Sequence, residues 1–403
     1  MKTIVVAAFV LLLIYYGPPQ DRSSPFDVAW MLGALALLAA AGGQLAQAVR
    51  LPALVGWIGA GMLLGTGGLQ LVDLGAFSLH QLLLLTAGLG VGFQVGLHVV
   101  WPTHTWRTLG LVAAATALVF AAVTAATALL GLPWEQAVLL GALAGLWGPF
   151  TGVPEFGRRG ALVLAVLGTG CALGALAGTL VLLETGAAGW VGRVGLSLVA
   201  GGGLGLGLRL LRRFATPSAT IVSGLVGAFF LTALALDTLG LMALPCGLVA
   251  GLVQDKQQSR RVRLLLHRGA PVAFVLFFAL LGTALDLGAL WPLADGLYEA
   301  ALVLVAVPLL LRGLAPIAYY PLPGPYPGRR IGWRLLPRGA LLFELFCGPH
   351  GLAPYVGAEG LLAQAVLLDI LVSTLLFSSL SLLADASLVP AEKAHPSEED
   401  MAA

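Results

Sequence analysis

Charged side chains are scarce in this chain of 403 residues. Only 10% of the residues are Asp, Glu, Lys or Arg, whereas roughly a quarter are charged in an ordinary soluble domain. Hydrophobic residues make up 59% of the sequence. A surface in contact with water cannot be built from this composition, so lipid is the solvent predicted for most of the chain. The net charge of +2 gives no indication of a nucleic-acid partner.

Cysteine is also rare, and no metal-binding or disulfide pattern is present. Cys171, Cys246 and Cys347 lie inside apolar runs without a CxxC or a paired histidine, and each is expected to act as a small buried hydrophobe. No loop is long enough to hold a soluble domain, and no nucleophile and base are spaced as in a catalytic site. We therefore predict neither an enzyme nor a cofactor.

Apolar runs of nearly the 20 or so residues needed to cross a bilayer recur from end to end. The fold predicted is an all-α polytopic membrane protein with about 14 transmembrane helices. Their predicted ranges are 3–16, 28–49, 53–72, 79–99, 108–131, 136–154, 161–183, 190–211, 218–236, 239–254, 269–288, 297–315, 337–356 and 360–383.

The positions of the basic residues test this helix count independently of hydropathy. Of 21 Lys and Arg residues, 18 fall on the side that carries both termini. Arg22 and Arg193 fall on the opposite side, and Arg312 lies within a helix. Basic residues concentrate in cytoplasmic loops, so both termini are predicted to be cytoplasmic in a multi-pass protein of the cell (inner) membrane.

The chain divides into three predicted parts. Residues 1–27 form an extra N-terminal helix and loop, 28–385 form the main transmembrane domain, and 386–403 form a disordered cytoplasmic tail. Within the main domain, 28–183 and 218–385 are predicted to be inverted six-helix repeats.

Two predicted helices carry a Gly-Pro pair at matching places in the repeats. Gly148 and Pro149 lie in the fifth helix of the first repeat, and Gly348 and Pro349 lie in the fifth helix of the second. Proline removes an amide donor and glycine loosens the turn, so both helices are expected to break and to cross each other. Free backbone groups at such breaks can hold an ion or a polar solute; chance Gly-Pro pairs are the alternative.

Several segments in order resemble the transmembrane domain of the monovalent cation:proton antiporter superfamily, in particular its bacterial sodium/proton and glutathione-regulated potassium-efflux branches. Arg50–Gly65, with the letters RLPALVGWIGAGMLLG, is similar to the family's second-helix signature. The likeness continues through 84–97, 236–251, 277–287 and Pro337-Arg338-Gly339, and covers most of 28–385. It implies alternating-access antiport of a monovalent cation and a proton, carried out by a homodimer in the lipid bilayer.

The site is where the sequence departs from this family. Gly168-Thr169-Gly170-Cys171-Ala172 stands where the family carries an acidic ion-binding pair. Ala340 replaces the glutamate of the P-R-G-E motif, and Arg312 replaces a lysine. An arginine stays charged, so Arg312 can act as a fixed countercharge but cannot exchange a proton.

Two acidic residues remain away from the ends of the predicted helices, where an ionisable group is a functional suspect. Glu344 precedes the second Gly-Pro pair by one turn, and Asp369 lies well inside the last helix. Either, neutralised by Arg312, could bind a proton or cation; a static ion pair of Arg312 with Glu344 is the alternative. His350 follows Pro349 directly and is a further candidate, with a hydrogen-bonded structural role as its alternative. Asp237, at an outer helix end, is expected to be solvated.

Three functions therefore stay open. The first is secondary transport by cation:proton antiport. The second is a transport-silent protein with an antiporter fold, because the usual acidic pair is missing. The third is exchange of an anion or organic solute, because helix N-termini at a break favour negative charge.

The charge pattern predicts that a reporter fused after Arg261 lies in the cytoplasm and that one fused after Asp295 lies outside. Alkaline phosphatase and green fluorescent protein fusions measure this directly. If both fusions report the same side, the 14-helix topology is wrong.

Overall fold

The computed structural model describes residues 25–49, 51–65, 68, 78–99, 105–146, 159–182, 188–214, 218–254, 272–283, 285, 296–314, 339–346, 350–352 and 361–373. Every regular element within these ranges is helical. The α-helices are α1 Pro25–Ala48, α2 Ala53–Leu64, α3 Ser78–His98, α4 Thr105–Leu129, α5 Trp134–Ala144, α6 Arg159–Leu182, α7 Ala188–Phe214, α8 Ser218–Leu239, α9 Ala243–Leu252, α10 Val272–Thr283, α11 Leu297–Pro308, α12 Gly339–Phe346 and α13 Leu361–Val372.

Four of these helices are long and apolar enough to cross a membrane. Their apolar spans are Trp30–Ala48 in α1, Gln81–His98 in α3, Val112–Leu129 in α4 and Gly189–Leu210 in α7. Shorter apolar helices accompany them, among them α2, α9, α10 and α13. The protein is therefore a multi-pass helical membrane protein.

Each predicted helix except the first has a counterpart in the structure. The first predicted helix, 3–16, and the predicted tail, 386–403, lie outside the described residues, so the count of 14 stays a prediction. Several helices are shorter than predicted. The run at 53–72 supplies the 12 residues of α2, and within the run at 337–356 the described helix is the eight residues of α12, with 350–352 not helical.

Glycines allow the backbones of α3 and α9 to touch. A Cβ added at Gly92 or Gly96 of α3 would collide with the backbone of α9, and one at Gly247 or Gly251 of α9 would collide with the backbone of α3. Lipid tails are as apolar as leucine, so helix packing in a membrane depends on such close approach of small residues. The spacing of four residues on both helices places the glycines on one face.

Two further helices meet their neighbours in the same way. On α7, Gly201 lies against the backbone of Cys246 and Gly205 lies against that of Ala250, so α9 is held between α3 and α7. Elsewhere in the fold, Gly61 of α2 and Gly282 of α10 face each other across a second close crossing. Buried apolar side chains from most of the helices pack into one large cluster around these contacts.

The chain after Glu344 leaves regular helical geometry before Leu352. The described part of α12 runs to Phe346, and the N–H of Leu352 donates to the carbonyl oxygen of Leu345 at 2.8 Å. An α-helix pairs each N–H with the carbonyl four residues before it, so this bond across seven residues shows that α12 does not continue regularly to Leu352. In the first half of the chain, α5 likewise ends at Ala144.

The backbone contact at Gly201 can be tested against its neighbour Gly202, which has open space around it. We expect Gly201→Ala to destabilise the protein by about 1–3 kcal/mol, because the added methyl group collides with α9. Gly202→Ala adds the same methyl group to the same helix and should be neutral or stabilising by up to about 1 kcal/mol. Thermal unfolding in detergent, followed by tryptophan fluorescence, measures both. Equal stability of the two variants would contradict the contact.

Candidate functional site

The N-terminus of α9 lies inside the protein and needs hydrogen-bond acceptors from elsewhere. The first four amides of a helix have no partner within the helix. In α9 these belong to Met242, Ala243, Leu244 and Pro245, and proline has no N–H. Met242 at the N-cap has no side-chain oxygen, so it cannot cap the helix itself. Three buried amides therefore require acceptors from other helices.

Ser197 on α7 supplies the first acceptor. The side chain of Ser197 is fully buried, and its hydroxyl accepts a hydrogen bond of 2.9 Å from the N–H of Met242. The same hydroxyl donates to the carbonyl oxygen of Arg193, one turn earlier on α7, at 2.7 Å. The hydroxyl hydrogen is thus directed along its own helix, and a lone pair is directed at α9.

Glu344 on α12 supplies the other acceptors. Its Oε1 accepts from the N–H of Ala243 at 2.6 Å and from that of Leu244 at 3.0 Å, and its Oε2 accepts from Leu244 at 3.1 Å. The side chain is only 8% exposed. A carboxylate at a helix N-terminus is stabilised by the helix dipole and by charge-assisted hydrogen bonds, and these offset part of the cost of burying its charge.

The chain reverses between α8 and α9 through a tight turn at Gly240. The N–H of Leu241 donates to the carbonyl of Leu236 at 2.7 Å, and that of Gly240 donates to Asp237 at 3.2 Å. This pair of bonds is the Schellman motif, which needs a left-handed residue. Gly240 provides it with φ 66°. A Cβ at Gly240 would lie 3.2 Å from a guanidinium nitrogen of Arg193, which places that cation against the turn.

Asp237 begins this turn and has two polar neighbours. Its Oδ1 accepts a hydrogen bond from Nε2 of Gln81 on α3. Nε2 of His350, from the segment after α12, lies 3.6 Å from the same oxygen. That separation is too long for a hydrogen bond, so the contact becomes an ion pair only when the imidazole is protonated. Asp237 was expected to be solvated, but its side chain is only 28% exposed.

We call the turn and its partners the α8–α9 junction: Gln81, Arg193, Ser197, Asp237 to Leu244, Glu344 and His350. The segment that contains α12 reaches the junction twice, through Glu344 and through His350. The other partners come from α3 and α7. Four separate parts of the chain therefore meet at one turn.

Asp369 lies elsewhere, on α13, and its side chain is 2% exposed. α13 packs against α12, which carries Glu344, and against α11. Directly after α11, Leu309–Leu314 forms a π-helical segment that contains Arg312. Pro308 has no N–H to donate at this point, and a widened turn is a common consequence. The helix of Asp369 thus packs against the helix of Glu344, whereas the segment that contains Arg312 packs against α11 and α4.

The remaining predictions have mixed outcomes. Gly148, Pro149, Gly348 and Pro349, and also Cys347, lie outside the described residues. Gly170 on α6 is exposed, with open space around it, and its neighbour Cys171 is a partly buried free thiol. Cys246 on α9 is a buried free thiol, as predicted.

The roles of Ser197, Gln81 and Arg193 were not predicted from the sequence. Each is a polar residue within an apolar helix, where an unpaired polar group is unfavourable, and this was the available signal. What the sequence does not display is the partner, because the donors opposite Ser197 and Glu344 are backbone amides.

The capping role of Ser197 predicts a stability change. Ser197→Ala leaves the N–H of Met242 buried without its acceptor, and we expect a loss of about 1–3 kcal/mol. Thr238→Ala removes an exposed hydroxyl that bonds only to its own helix, and should change stability by less than about 0.5 kcal/mol. Denaturant unfolding in mild detergent compares the variants. A loss for Thr238→Ala as large as that for Ser197→Ala would refute the capping role.

Comparison with known proteins identifies the fold. No protein-family model matches the sequence, and no curated protein matches it. Among solved structures, the chain is similar to the sodium proton antiporter MjNhaP1 from Methanocaldococcus jannaschii, determined at pH 8. The TM-score is 0.53 at 15% identity, and the match covers 90% of this chain and 97% of the antiporter. The chain therefore shares the fold of this sodium/proton antiporter.

Proposed function

We propose that this protein is a secondary transporter that exchanges a monovalent cation for protons by alternating access. The observation that carries the proposal is the fold, which matches a sodium/proton antiporter along 90% of the chain. The proposal includes a location in the cell (inner) membrane with both termini in the cytoplasm, as the charge pattern predicts. It also includes a homodimer, as the family resemblance implies.

The proposal also includes inverted repeats, with α1 to α6 in the first and α8 to α13 in the second. Two close helix crossings support this arrangement. One joins α3, the third helix of the first repeat, to α9, the second helix of the second repeat. The other joins α2 to α10, which is the reverse combination. The two-fold axis that relates inverted repeats would superimpose one crossing on the other. A protein with this symmetry should therefore contain both crossings.

Among the described residues, Glu344 and Asp369 are the buried acids. The oxygens of Glu344 already accept three hydrogen bonds from the amides of α9. A cation bound at Glu344 would have to displace those amides. We therefore place the cation and the proton that competes with it at Asp369 and propose Arg312 as the fixed countercharge of that site, with the predicted breaks at Gly148-Pro149 and Gly348-Pro349 supplying further backbone groups for the cation.

The use of Glu344 as a helix cap also supports a second candidate, a transport-silent protein with an antiporter fold. Gly170 and Cys171 stand where the resemblance implies an acidic pair. With Glu344 used as a helix cap, Asp369 is the one other buried acid among the described residues. Measurement of ion exchange decides between the two candidates.

Everted vesicles from a host that lacks its own antiporters provide that measurement. A proton gradient is established, and sodium, potassium or lithium is added over about pH 6–9. We expect at least one cation to dissipate the gradient in vesicles that contain this protein and not in vesicles without it. No dissipation with any of the three cations would contradict cation antiport and favour the transport-silent candidate.

Acid-to-amide variants test the assignment of the proton. Asp369→Asn removes the exchanged group and should lower exchange at least about tenfold at every pH. Glu299→Gln makes the same chemical change at an exposed position in the first turn of α11, and should leave exchange unchanged. Fluorescence detection of folded protein controls for expression. Full exchange in Asp369→Asn, or loss in Glu299→Gln, would contradict the assignment.

A further inference from the structure

α9 is fixed to its neighbours by backbone contacts. Gly247 and Gly251 rest on the backbone of α3, and Gly201 of α7 rests on the backbone at Cys246. Sliding α9 along either neighbour would drive backbone atoms into each other, because the glycines leave no side chain that could adapt. α3, α7 and α9 therefore behave as one rigid unit.

α12 is attached to that unit in a different way. Its described part is eight residues long and packs along α13, and regular helical hydrogen bonding does not continue to Leu352. Its polar attachment to α9 is one side chain, Glu344, bound to the amides of Ala243 and Leu244. A side chain can release such bonds by rotation, whereas the glycine contacts require whole helices to separate.

We propose that Glu344 is a proton-sensitive latch that holds α12 on the N-terminus of α9 when ionised and releases it when protonated. An ionised carboxylate only accepts hydrogen bonds, and Glu344 faces two N–H donors. Protonation places an O–H donor on one of its oxygens and removes the charge that the helix dipole stabilises. At least one hydrogen bond to α9 is then lost.

Other ionisable groups lie on the elements around the latch. α13, which packs against α12, carries the buried Asp369. α9 contributes the thiol of Cys246, which lies within electrostatic range of Glu344. α8 contributes Asp237, α7 contributes Arg193, and the segment after α12 contributes His350. Protonation of His350 would strengthen its contact with Asp237, so it opposes release. The two contacts of the α12 segment thus respond to acid in opposite directions, and Glu344 is the one that opens.

The role of this latch in a transport cycle rests on the proposed antiport, because release of α12 from a rigid unit is a movement that alternating access can use. The opening itself is independent of transport and can be measured without a transported ion. Separate experiments can therefore refute the latch and the proposed antiport independently of each other.

Hydrogen exchange of the Ala243 and Leu244 amides, measured by mass spectrometry on the full chain in lipid nanodiscs, tests the latch. After correction for the intrinsic rate at each pH, protection of these amides should fall at least about tenfold between about pH 8 and about pH 5. Amides in the middle of α3 should keep their protection. Glu344→Gln should show the low protection at every pH, because it cannot present two charged acceptors. Ser197→Ala is the matched control. It removes the acceptor of the Met242 amide and should leave the pH dependence of the Ala243 and Leu244 amides intact.

Constant protection of Ala243 and Leu244 across this pH range in the unmodified protein would overturn the latch, and this outcome does not depend on whether the variants fold. Wild-type protection in Glu344→Gln would also overturn it. If protection falls with pH while sodium, potassium and lithium exchange are all absent, the latch stands and the proposed transport fails. If exchange occurs and protection is constant, transport stands and the latch fails.

Discussion

The N-terminus of α9 is a helix end inside a membrane protein, and the amides exposed there set the arrangement of the helices around it. In lipid no water can satisfy such donors, so the protein must supply acceptors. Pro245 has no N–H. The N–H of Met242 donates to Ser197 of α7, and those of Ala243 and Leu244 donate to Glu344 of α12. The acceptors therefore come from two different parts of the chain. The need to satisfy these amides therefore joins α7, α9 and α12 at one place.

The glycine contacts give this capped helix its fixed position. α9 lies against the backbones of α3 and α7, and the Schellman turn at Gly240 sets the angle at which the chain enters it from α8. Because α9 cannot move independently of these helices, whatever binds its N-terminus is attached to the whole unit. Glu344 and His350 both come from the segment of α12, so that segment makes two contacts whose strength depends on protonation.

Hydropathy predicted nearly all of the helices, because an apolar run of sufficient length has few alternatives to a helix in lipid. It did not predict where short helices end. The run at 337–356 contains α12, whose regular hydrogen bonding does not reach Leu352, since the end of a helix depends on local hydrogen bonding and not on hydropathy.

Glu344 was identified from the rarity of acidic residues inside the predicted helices, yet its hydrogen-bond partner was not identified. An ion pair with Arg312 was the predicted structural alternative. The carboxylate oxygens of Glu344 instead accept from backbone amides of α9, and every residue except proline has such an amide. Asp237 was expected to be solvated for the same reason: the positions of Gln81 and His350 follow from tertiary packing.

The most direct test of this account is a pair of structures determined by electron cryomicroscopy in lipid nanodiscs, one at neutral and one at acidic pH. The account predicts that the Glu344 carboxylate lies within about 3 Å of the Ala243 and Leu244 nitrogens at neutral pH. At acidic pH it predicts that α12 has moved away from α9, while α3, α7 and α9 keep their mutual contacts. Glu344 turned away from α9 at neutral pH, or α12 seated identically at both values, would contradict it.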